Sequence, residues 1–223
     1  MKALYTPYKI FHFPEKLHSL PREGVATTAP LHIRIKPTNL CGHHCWYCAY
    51  KAKDLDLGAE MVERDQIPPE KMREIVSDME TIGVRAVTFS GGGDPFYYKP
   101  ILETVKRLAD GPIRFASLTN GARLSGEIAD VFAHHGTWLR VSMDGWDDAS
   151  YSRYRGVRLG DYTKLMENLL AFKRLGGSCH LGVSLIVDRD NACYVEESVK
   201  RLQDIGVNSV KVSPCITSND GNV

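Results

Sequence analysis

Short β-type runs alternate with longer segments of helical periodicity from residue 31 onward. Alternating or β-branched apolar residues mark six such runs, at 31–36, 84–90, 113–119, 137–143, 180–187 and 209–213. Between them, apolar residues recur every three or four positions, which is typical of helices that bury one face. Six strands alternating with helices predict an α/β fold, with a parallel six-stranded sheet and right-handed crossovers.

The helical pattern is clearest in the segment that starts at Pro69, where a proline suits the first turn of a helix. One apolar stripe follows, formed by Met72, Ile75, Val76, Met79 and Ile82. The last helical stripe of the chain ends at Gly206, a residue type that commonly terminates helices.

Distinctive loops follow four of the predicted strands. They contain Cys41, Cys45 and Cys48 after the first strand, Gly91, Gly92, Gly93 and Asp94 after the second, Asn120 after the third, and Ser142 and Asp144 at the end of the fourth. Because the carboxyl ends of parallel strands meet at one edge of a sheet, we expect these loops to converge. The sequence therefore predicts a single active site at that edge.

The three clustered cysteines predict a metal centre. Three thiolates on one short loop can bind three irons of a [4Fe–4S] cluster and leave the fourth iron without a protein ligand. The alternative is a zinc site with His43 or His44 as the fourth ligand. A zinc site of this kind normally has a second Cys or His pair at short range, and the sequence has none downstream. The cluster is therefore the favoured interpretation.

Composition and charge narrow the class of protein. The chain has 223 residues, 43% of them hydrophobic and 25% charged, with a net charge of +1, as in ordinary globular proteins. This charge gives no argument for a nucleic-acid or membrane partner. The sequence shows neither a long apolar stretch nor a signal peptide, so we expect a cytoplasmic location, where cysteines are reduced. Cys179, Cys193 and Cys215 are then predicted to be small buried hydrophobic residues.

The cysteine spacing CxxxCxxC, with Tyr47 before the last cysteine, resembles the signature of the radical S-adenosylmethionine (SAM) superfamily. The resemblance extends over residues 31–215 and implies a partial (βα)6 TIM-like barrel. It also implies that Cys41, Cys45 and Cys48 bind a [4Fe–4S] cluster whose open iron binds SAM. An electron from a low-potential donor, of the flavodoxin or ferredoxin type, would then release a 5′-deoxyadenosyl radical that abstracts hydrogen from a substrate.

The glycine-rich loop resembles the family motif that binds the methionine amino group of SAM. Gly91, Gly92 and Gly93 would let backbone carbonyls approach the ligand closely. Asp94 occupies a position where the family more often has glutamate. Taken alone, the same run is an ordinary turn signal.

The resemblance assigns roles to five further residues. Tyr47 would pack near the adenine of SAM or simply shield the cluster, and Ser142 or Asp144 would bind the ribose hydroxyls. Asn120, at the end of the third strand, would line the pocket, although Asn-Gly is also a plain turn signal. Arg155 would pair with the methionine carboxylate of SAM. The structural alternatives are a helix N-cap for Asp144 and a solvated side chain for Arg155.

Residues 142–145, followed by 154–156, are similar to a pairing in the subset of the family that carries a C-terminal SPASM extension. Residues 38–40 also fit that subset, whereas Gly42 replaces a frequent asparagine. Some SPASM-type members are associated with surface polysaccharide synthesis.

The predicted organisation is an N-terminal extension at 1–30, the core barrel at 31–215, and a tail at 216–223 that leads into a C-terminal domain. Residues 5–14 are rich in aromatic side chains. We expect this segment to pack across the bottom of the barrel or to mediate contacts between subunits.

Cys215 has two candidate functions besides that of a buried thiol. It follows the sixth predicted strand, so its thiol would be placed to donate a hydrogen atom to a substrate radical as a catalytic residue. It would equally suit the first ligand of an auxiliary cluster.

The predicted function is hydrogen abstraction from a substrate, with a sugar or other small metabolite favoured. One alternative is a maturase of ribosomal peptides, although residues 1–30 lack the length and pattern expected of a peptide-binding extension. The other is an iron–sulfur binding or electron-transfer protein without SAM cleavage. The glycine loop and the motif around Arg155 argue against that second alternative.

Overall fold

The computed structural model describes residues 8–19, 24, 28–51 and 56–216. Its sheet has six strands in the order β1-β2-β3-β4-β5-β6, and every neighbouring pair is parallel. The strands are β1 (His32–Ile35), β2 (Ala86–Phe89), β3 (Arg114–Thr119), β4 (Trp138–Ser142), β5 (His180–Val187) and β6 (Ser209–Pro214). The predicted α/β class and six-stranded parallel sheet of a partial barrel are confirmed.

Helices connect these strands. They are α1 (Pro14–His18), α2 (Asp56–Ala59), α3 (Pro69–Ile82), α4 (Ile101–Ala109), α5 (Gly126–His135), α6 (Asp148–Arg155), α7 (Asp161–Arg174) and α8 (Val195–Ile205). Three 3₁₀ turns add Lys9–His12, Pro95–Tyr97 and Ala192–Tyr194. The helix α3 begins at Pro69 as predicted, and α8 ends at Ile205 and is capped by Gly206, whose φ of 87° lies in the left-handed region. None of the helices in the described ranges is both long and apolar enough to cross a membrane.

The core lies between the outer face of the sheet and the helices. Alternate strand residues such as Leu139, Val141 and Leu181 are completely buried. Burying each such side chain contributes about 1.5–3 kcal/mol, so this face fixes the register of the strands. In α3, Met72 and Met79 are buried as the apolar stripe predicts, whereas Ile82 at its end is 54% exposed.

The inner face of the sheet lines an open cavity of about 630 Å³ at the amino ends of β1 to β4. Phe13, from the aromatic-rich segment, lines this cavity, in agreement with packing across the bottom of the barrel. Tyr8 and Phe11 are each 65% exposed, and residues 5–7 lie outside the described ranges. Nearly all of the predicted tail, residues 217–223, also lies outside them.

The three cysteines outside the cysteine loop differ in burial. Cys179 and Cys215 are buried as predicted, but the prediction for Cys193 is wrong, because this residue is exposed. It belongs to the 3₁₀ turn before α8, in which no residue is buried. A short turn at the surface leaves its side chains in water, whatever their polarity.

The difference in burial between Cys193 and Cys179 predicts selective alkylation of Cys193. Burial raises the pKa of Cys179 to about 12, so its reactive thiolate is scarce at pH 8. We expect iodoacetamide to modify Cys193 about a thousand-fold faster than Cys179, measured by mass spectrometry of peptides. Denaturation would remove the difference, and equal rates in the folded protein would contradict the described burial.

Candidate functional site

The loop that carries Cys41, Cys45 and Cys48, called the cysteine loop below, is tied to two neighbouring segments. Just before Cys41, the backbone nitrogen of Asp94 donates to the carbonyl of Leu40 at 2.9 Å. Within the loop, the backbone nitrogen of His44 donates to the carbonyl of Arg155 at 2.8 Å. The loop is therefore fixed on one side by the end of β2 and on the other by the end of α6.

The glycine loop, residues 91–93, has no room for side chains. A Cβ on Gly93 would lie 2.1 Å from the carbonyl oxygen of Leu40, and one on Gly92 would lie 2.1 Å from Oδ1 of Asn39. Gly91, Gly92 and Gly93 are not among the residues with positive φ, so a left-handed conformation does not explain them. The glycines allow the cysteine loop to pack directly on the end of β2.

Gly93→Ala is expected to displace the cysteine loop, because its Cβ would meet backbone atoms that cannot rotate away. We expect a loss of about 1–3 kcal/mol in the free energy of unfolding. Iron incorporation on anaerobic reconstitution should fall with it. Gly111→Ala is the matched control, since its nearest contact would be a flexible glutamate oxygen at 3.3 Å. Unchanged iron binding in Gly93→Ala would contradict this packing.

Asp94 joins the ends of β2 and β3 from a buried position. Its carboxylate accepts hydrogen bonds from the backbone nitrogens of Phe96 at 2.8 Å and Asn120 at 2.5 Å, and from Oγ1 of Thr119 at 2.9 Å. Burial raises the pKa of Asp94, while these hydrogen bonds oppose the increase. Asn120, held in this way, donates from Nδ2 to Sγ of Cys41 at 3.7 Å.

A buried polar cluster lies on the other side of the cysteine loop. Nη1 of Arg155 is 2.5 Å from Oδ2 of Asp144 and 3.0 Å from the hydroxyl of Tyr47. The hydroxyl of Tyr47 donates to the same carboxylate oxygen at 2.5 Å. Nε of Arg155 donates to Nδ1 of His43 at 3.2 Å. These four residues, called the Arg155 cluster below, include the predicted Tyr47, Asp144 and Arg155.

Both structural alternatives for this cluster are wrong. Arg155 is 5% exposed, so it is not a solvated side chain. Asp144 does not cap α6, because Asp147 occupies that position and accepts from the backbone nitrogen of Ser150 at 2.7 Å. Asp144 instead has a φ of 71° and is the one non-glycine residue in the described ranges with positive φ. Such a conformation costs of order 1 kcal/mol and is enriched at functional sites.

The charges of the Arg155 cluster follow from its burial. Burial alone would lower the pKa of Arg155, but Asp144 raises it well above the usual value. Burial, followed by the charge of Arg155, lowers the pKa of His43 to about 3. His43 is therefore neutral, and its Nδ1 carries no proton because the guanidinium can only donate. Near this cation, burial raises the pKa of Cys45 while Arg155 lowers it.

The thiols of the cysteine loop suit a cluster better than one zinc ion. Cys41, Cys45 and Cys48 are free and partly accessible. Nδ1 of His43 accepts from Arg155, and Nδ1 of His44 lies 3.2 Å from Nζ of Lys51. Across the described ranges, no three His, Cys, Asp or Glu side chains group closely enough to hold a single metal ion. Three thiols on one loop, beside two histidine rings whose Nδ1 atoms have other partners, fit the predicted [4Fe–4S] cluster.

Two predicted residues lie farther round the rim. Ser142 is half-buried at the end of β4, with its Oγ 3.4 Å from Oγ of Ser184 on β5. Cys215 follows β6, and its backbone nitrogen donates to the carbonyl of Val187 at 2.8 Å. Burial, followed by the charge of Asp188, raises the pKa of its thiol. Within the described residues, neither side chain forms a hydrogen bond with the cysteine loop.

Three residues of the site, Asn191, His43 and Ser90, have surroundings that the sequence did not predict. Asn191 donates from Nδ2 to the carbonyls of Asp144 and Ile186, which holds the strained turn after β4. His43, a candidate zinc ligand by sequence, instead accepts a hydrogen bond from Arg155. The hydroxyl of Ser90, which precedes the glycine loop, is buried and has no hydrogen-bond partner among the described residues. A buried, unpaired hydroxyl at this rim suits a ligand that supplies the missing partner.

Comparison with known proteins gives one family. The sequence profile of the radical SAM superfamily matches residues 35–202. A probable GTP 3',8-cyclase from Thermococcus kodakarensis is 30% identical over 126 residues, which cover 56% of this chain and 38% of that protein. A PqqA peptide cyclase from Bradyrhizobium diazoefficiens is 26% identical over 189 residues, 82% of this chain and 46% of that protein. The chain spans less than half the length of either relative.

Solved structures share the fold. Streptococcus suis SuiB bound to precursor peptide SuiA superposes with a TM-score of 0.70 at 17% identity, covering 99% of this chain and 48% of that one. SuiB bound to S-adenosylmethionine gives a TM-score of 0.67. At this identity, the likeness shows the fold alone.

Proposed function

The chain belongs to the radical SAM superfamily, and we propose that Cys41, Cys45 and Cys48 bind its [4Fe–4S] cluster while the Arg155 cluster binds SAM. Members of this family are enzymes that use both groups, and the chain is accordingly a radical SAM enzyme. When bound and reduced, these groups supply a 5′-deoxyadenosyl radical that abstracts hydrogen from a substrate.

One observation carries the assignment of the site. The cysteine loop and the Arg155 cluster are a single hydrogen-bonded unit. The backbone nitrogen of His44 donates to the carbonyl of Arg155, and the hydroxyl of Tyr47 donates to the carboxylate of Asp144. Three thiols and a buried guanidinium whose Nε and Nη1 are held by protein partners therefore lie side by side.

The residues of the unit would divide the binding of SAM among them. Nε and Nη1 of Arg155 have protein partners, which leaves Nη2 for the methionine carboxylate. The glycine loop and the unpaired hydroxyl of Ser90 would bind the amino group. Ser142 or Asp144 would contact the ribose, Tyr47 would pack near the adenine, and Asn120 would line the pocket.

Anaerobic reconstitution with iron and sulfide, followed by dithionite and SAM, tests this function. We expect 5′-deoxyadenosine, measured by liquid chromatography, from the full 223-residue chain. A chain that formed a cluster but neither bound nor cleaved SAM would support the electron-transfer alternative instead. Zinc in place of iron after anaerobic purification would contradict the assignment of the thiols.

A low-potential protein donor of the flavodoxin or ferredoxin type is the proposed source of the electron. The three cysteines are each partly accessible, and Trp46 between them is 55% exposed. Electron transfer from a second protein requires such access to the cluster. We further propose that the thiol of Cys215 gives a hydrogen atom to a substrate radical, which leaves a thiyl radical that the low-potential donor reduces by one electron with uptake of a proton. Cys215→Ala would then change the product but not the yield of 5′-deoxyadenosine.

The favoured substrate is a small metabolite, and the SPASM-type subset remains the proposed branch of the family. The relative from Thermococcus kodakarensis is named for GTP, a small phosphorylated substrate. A peptide is the second candidate, because the PqqA peptide cyclase matches 82% of this chain.

A further inference from the structure

The inner face of the sheet near its amino end is not a packed core. Barrel interiors are usually filled by layers of bulky branched residues. Here the ladder pairs Arg34 with Thr88, Thr88 with Ala116 and Ala116 with Trp138, so these residues share one row across four strands. Arg140 lies one row closer to the rim. Apart from Trp138, the residues of the first row are thus small, polar or cationic.

Small residues keep the space open. Ala86 and Ala116 occupy inward positions on β2 and β3 and line the cavity of about 630 Å³. A Cβ on Gly182 would lie 3.0 Å from Oγ of Ser209 and 3.8 Å from Nε of Arg140. Glycine at this place therefore leaves room directly beside a guanidinium.

The lining of this cavity has charge of one sign. Its charged residues are Arg34, Arg85, Arg114 and Arg140, and no described Asp or Glu lines it. Arg34 and Arg114 are exposed, and their side chains form no ion pair or hydrogen bond with described residues. Two cations that share a cavity without a described carboxylate repel each other, and an anion in the cavity would remove that cost.

We propose that this cavity binds the phosphate or pyrophosphate group of the substrate. The inference rests on the proposed function, which locates the hydrogen abstraction at the rim. Guanidinium groups bind phosphate through two parallel hydrogen bonds, which is why arginine suits such ligands. Trp138, with Arg140 5.7 Å from its ring centroid, adds an aromatic face for a base or sugar.

The distance between this cavity and the rim of the sheet suits a substrate of nucleotide length. Trp138 begins β4 and Ser142 ends it at the rim that carries the proposed SAM site. Four residues of strand span roughly 13 Å. A nucleoside polyphosphate or a nucleotide-linked sugar could therefore hold its phosphates at the bottom while its reacting carbon lies near the rim.

Isothermal titration calorimetry of the full chain tests the inference without requiring catalysis. The probes are inorganic pyrophosphate, GTP, UDP-glucose and guanosine at physiological salt. We expect the three phosphate-bearing probes to bind and guanosine to bind at least ten-fold more weakly. Arg34→Gln and Arg114→Gln should each weaken pyrophosphate binding by about ten- to a hundred-fold. Arg174→Gln, an exposed residue of α7, is the matched control.

The outcomes distinguish a nucleotide-linked sugar from a free nucleotide and also test the inference itself. Tighter binding of UDP-glucose than GTP would identify a nucleotide-linked sugar, and the reverse a free nucleotide; either supports the inference. Equal weakening in Arg174→Gln, or tighter binding of a glutamate-rich peptide than of pyrophosphate, would overturn it. Failure of the proposed function would be seen separately, as absence of 5′-deoxyadenosine from a chain that still binds pyrophosphate.

Discussion

Replacement of Cys45 with alanine is expected to abolish 5′-deoxyadenosine formation. Cys45 is the central thiol of the cysteine loop; burial raises its pKa, and the charge of Arg155 opposes that increase. Losing even an outer-sphere partner of a metal ligand typically costs about 10–100-fold in metal affinity or activity, and losing a ligand should cost more. Iron content and the absorbance of the reconstituted cluster should fall together with the rate of SAM cleavage.

Cys193→Ala is the matched control for this experiment. Cys193 is also an accessible free cysteine, but it lies in the turn before α8. Its loss should leave iron content and SAM cleavage unchanged. Full cleavage activity in Cys45→Ala would refute the assignment of the cluster ligands, and equal losses in both variants would indicate general damage from removing thiols.

The strands and their order were predictable because each strand buries its outer face and leaves a clear signal. Alternate residues such as Leu181 and Val183 are completely buried, and short strands of this kind stand out between helical stripes. Parallel order then places the ends of the strands, and with them Cys41 and Asp144, at one edge. The location of the site thus followed from local patterns combined with a general rule of topology.

The internal contacts of the site were not predictable in the same way. The helix α6 has no clean apolar stripe, because its buried residues include Ser150 and Arg155. The bond between Arg155 and His43 joins residues 112 positions apart, and no periodicity encodes such a pair. Local patterns reveal which faces are buried, whereas polar partners inside a fold depend on how distant loops meet.

Arg155→Met is expected to lower the free energy of unfolding by about 3–5 kcal/mol and to abolish SAM binding. Removing one partner of a buried ion pair leaves the other charge uncompensated in a low-dielectric environment. Arg155 is 2.5 Å from Asp144, and both are buried. Chemical denaturation measures the stability, and calorimetry with SAM measures the binding. Arg153→Met, on the exposed side of the same helix, should change stability by less than about 1 kcal/mol.

The pH dependence of Arg155→Met distinguishes a lost ion pair from lost packing. Burial raises the pKa of Asp144, and the charge of Arg155 opposes this increase in the native protein. Without the guanidinium, the folded variant keeps a proton that the unfolded chain releases above about pH 4. Its stability should therefore fall as pH rises through the folded pKa, and its deficit against the native protein should shrink toward acid pH. Asp144→Asn in the same background would remove this slope, because the amide does not titrate, whereas a deficit independent of pH would assign the loss to packing.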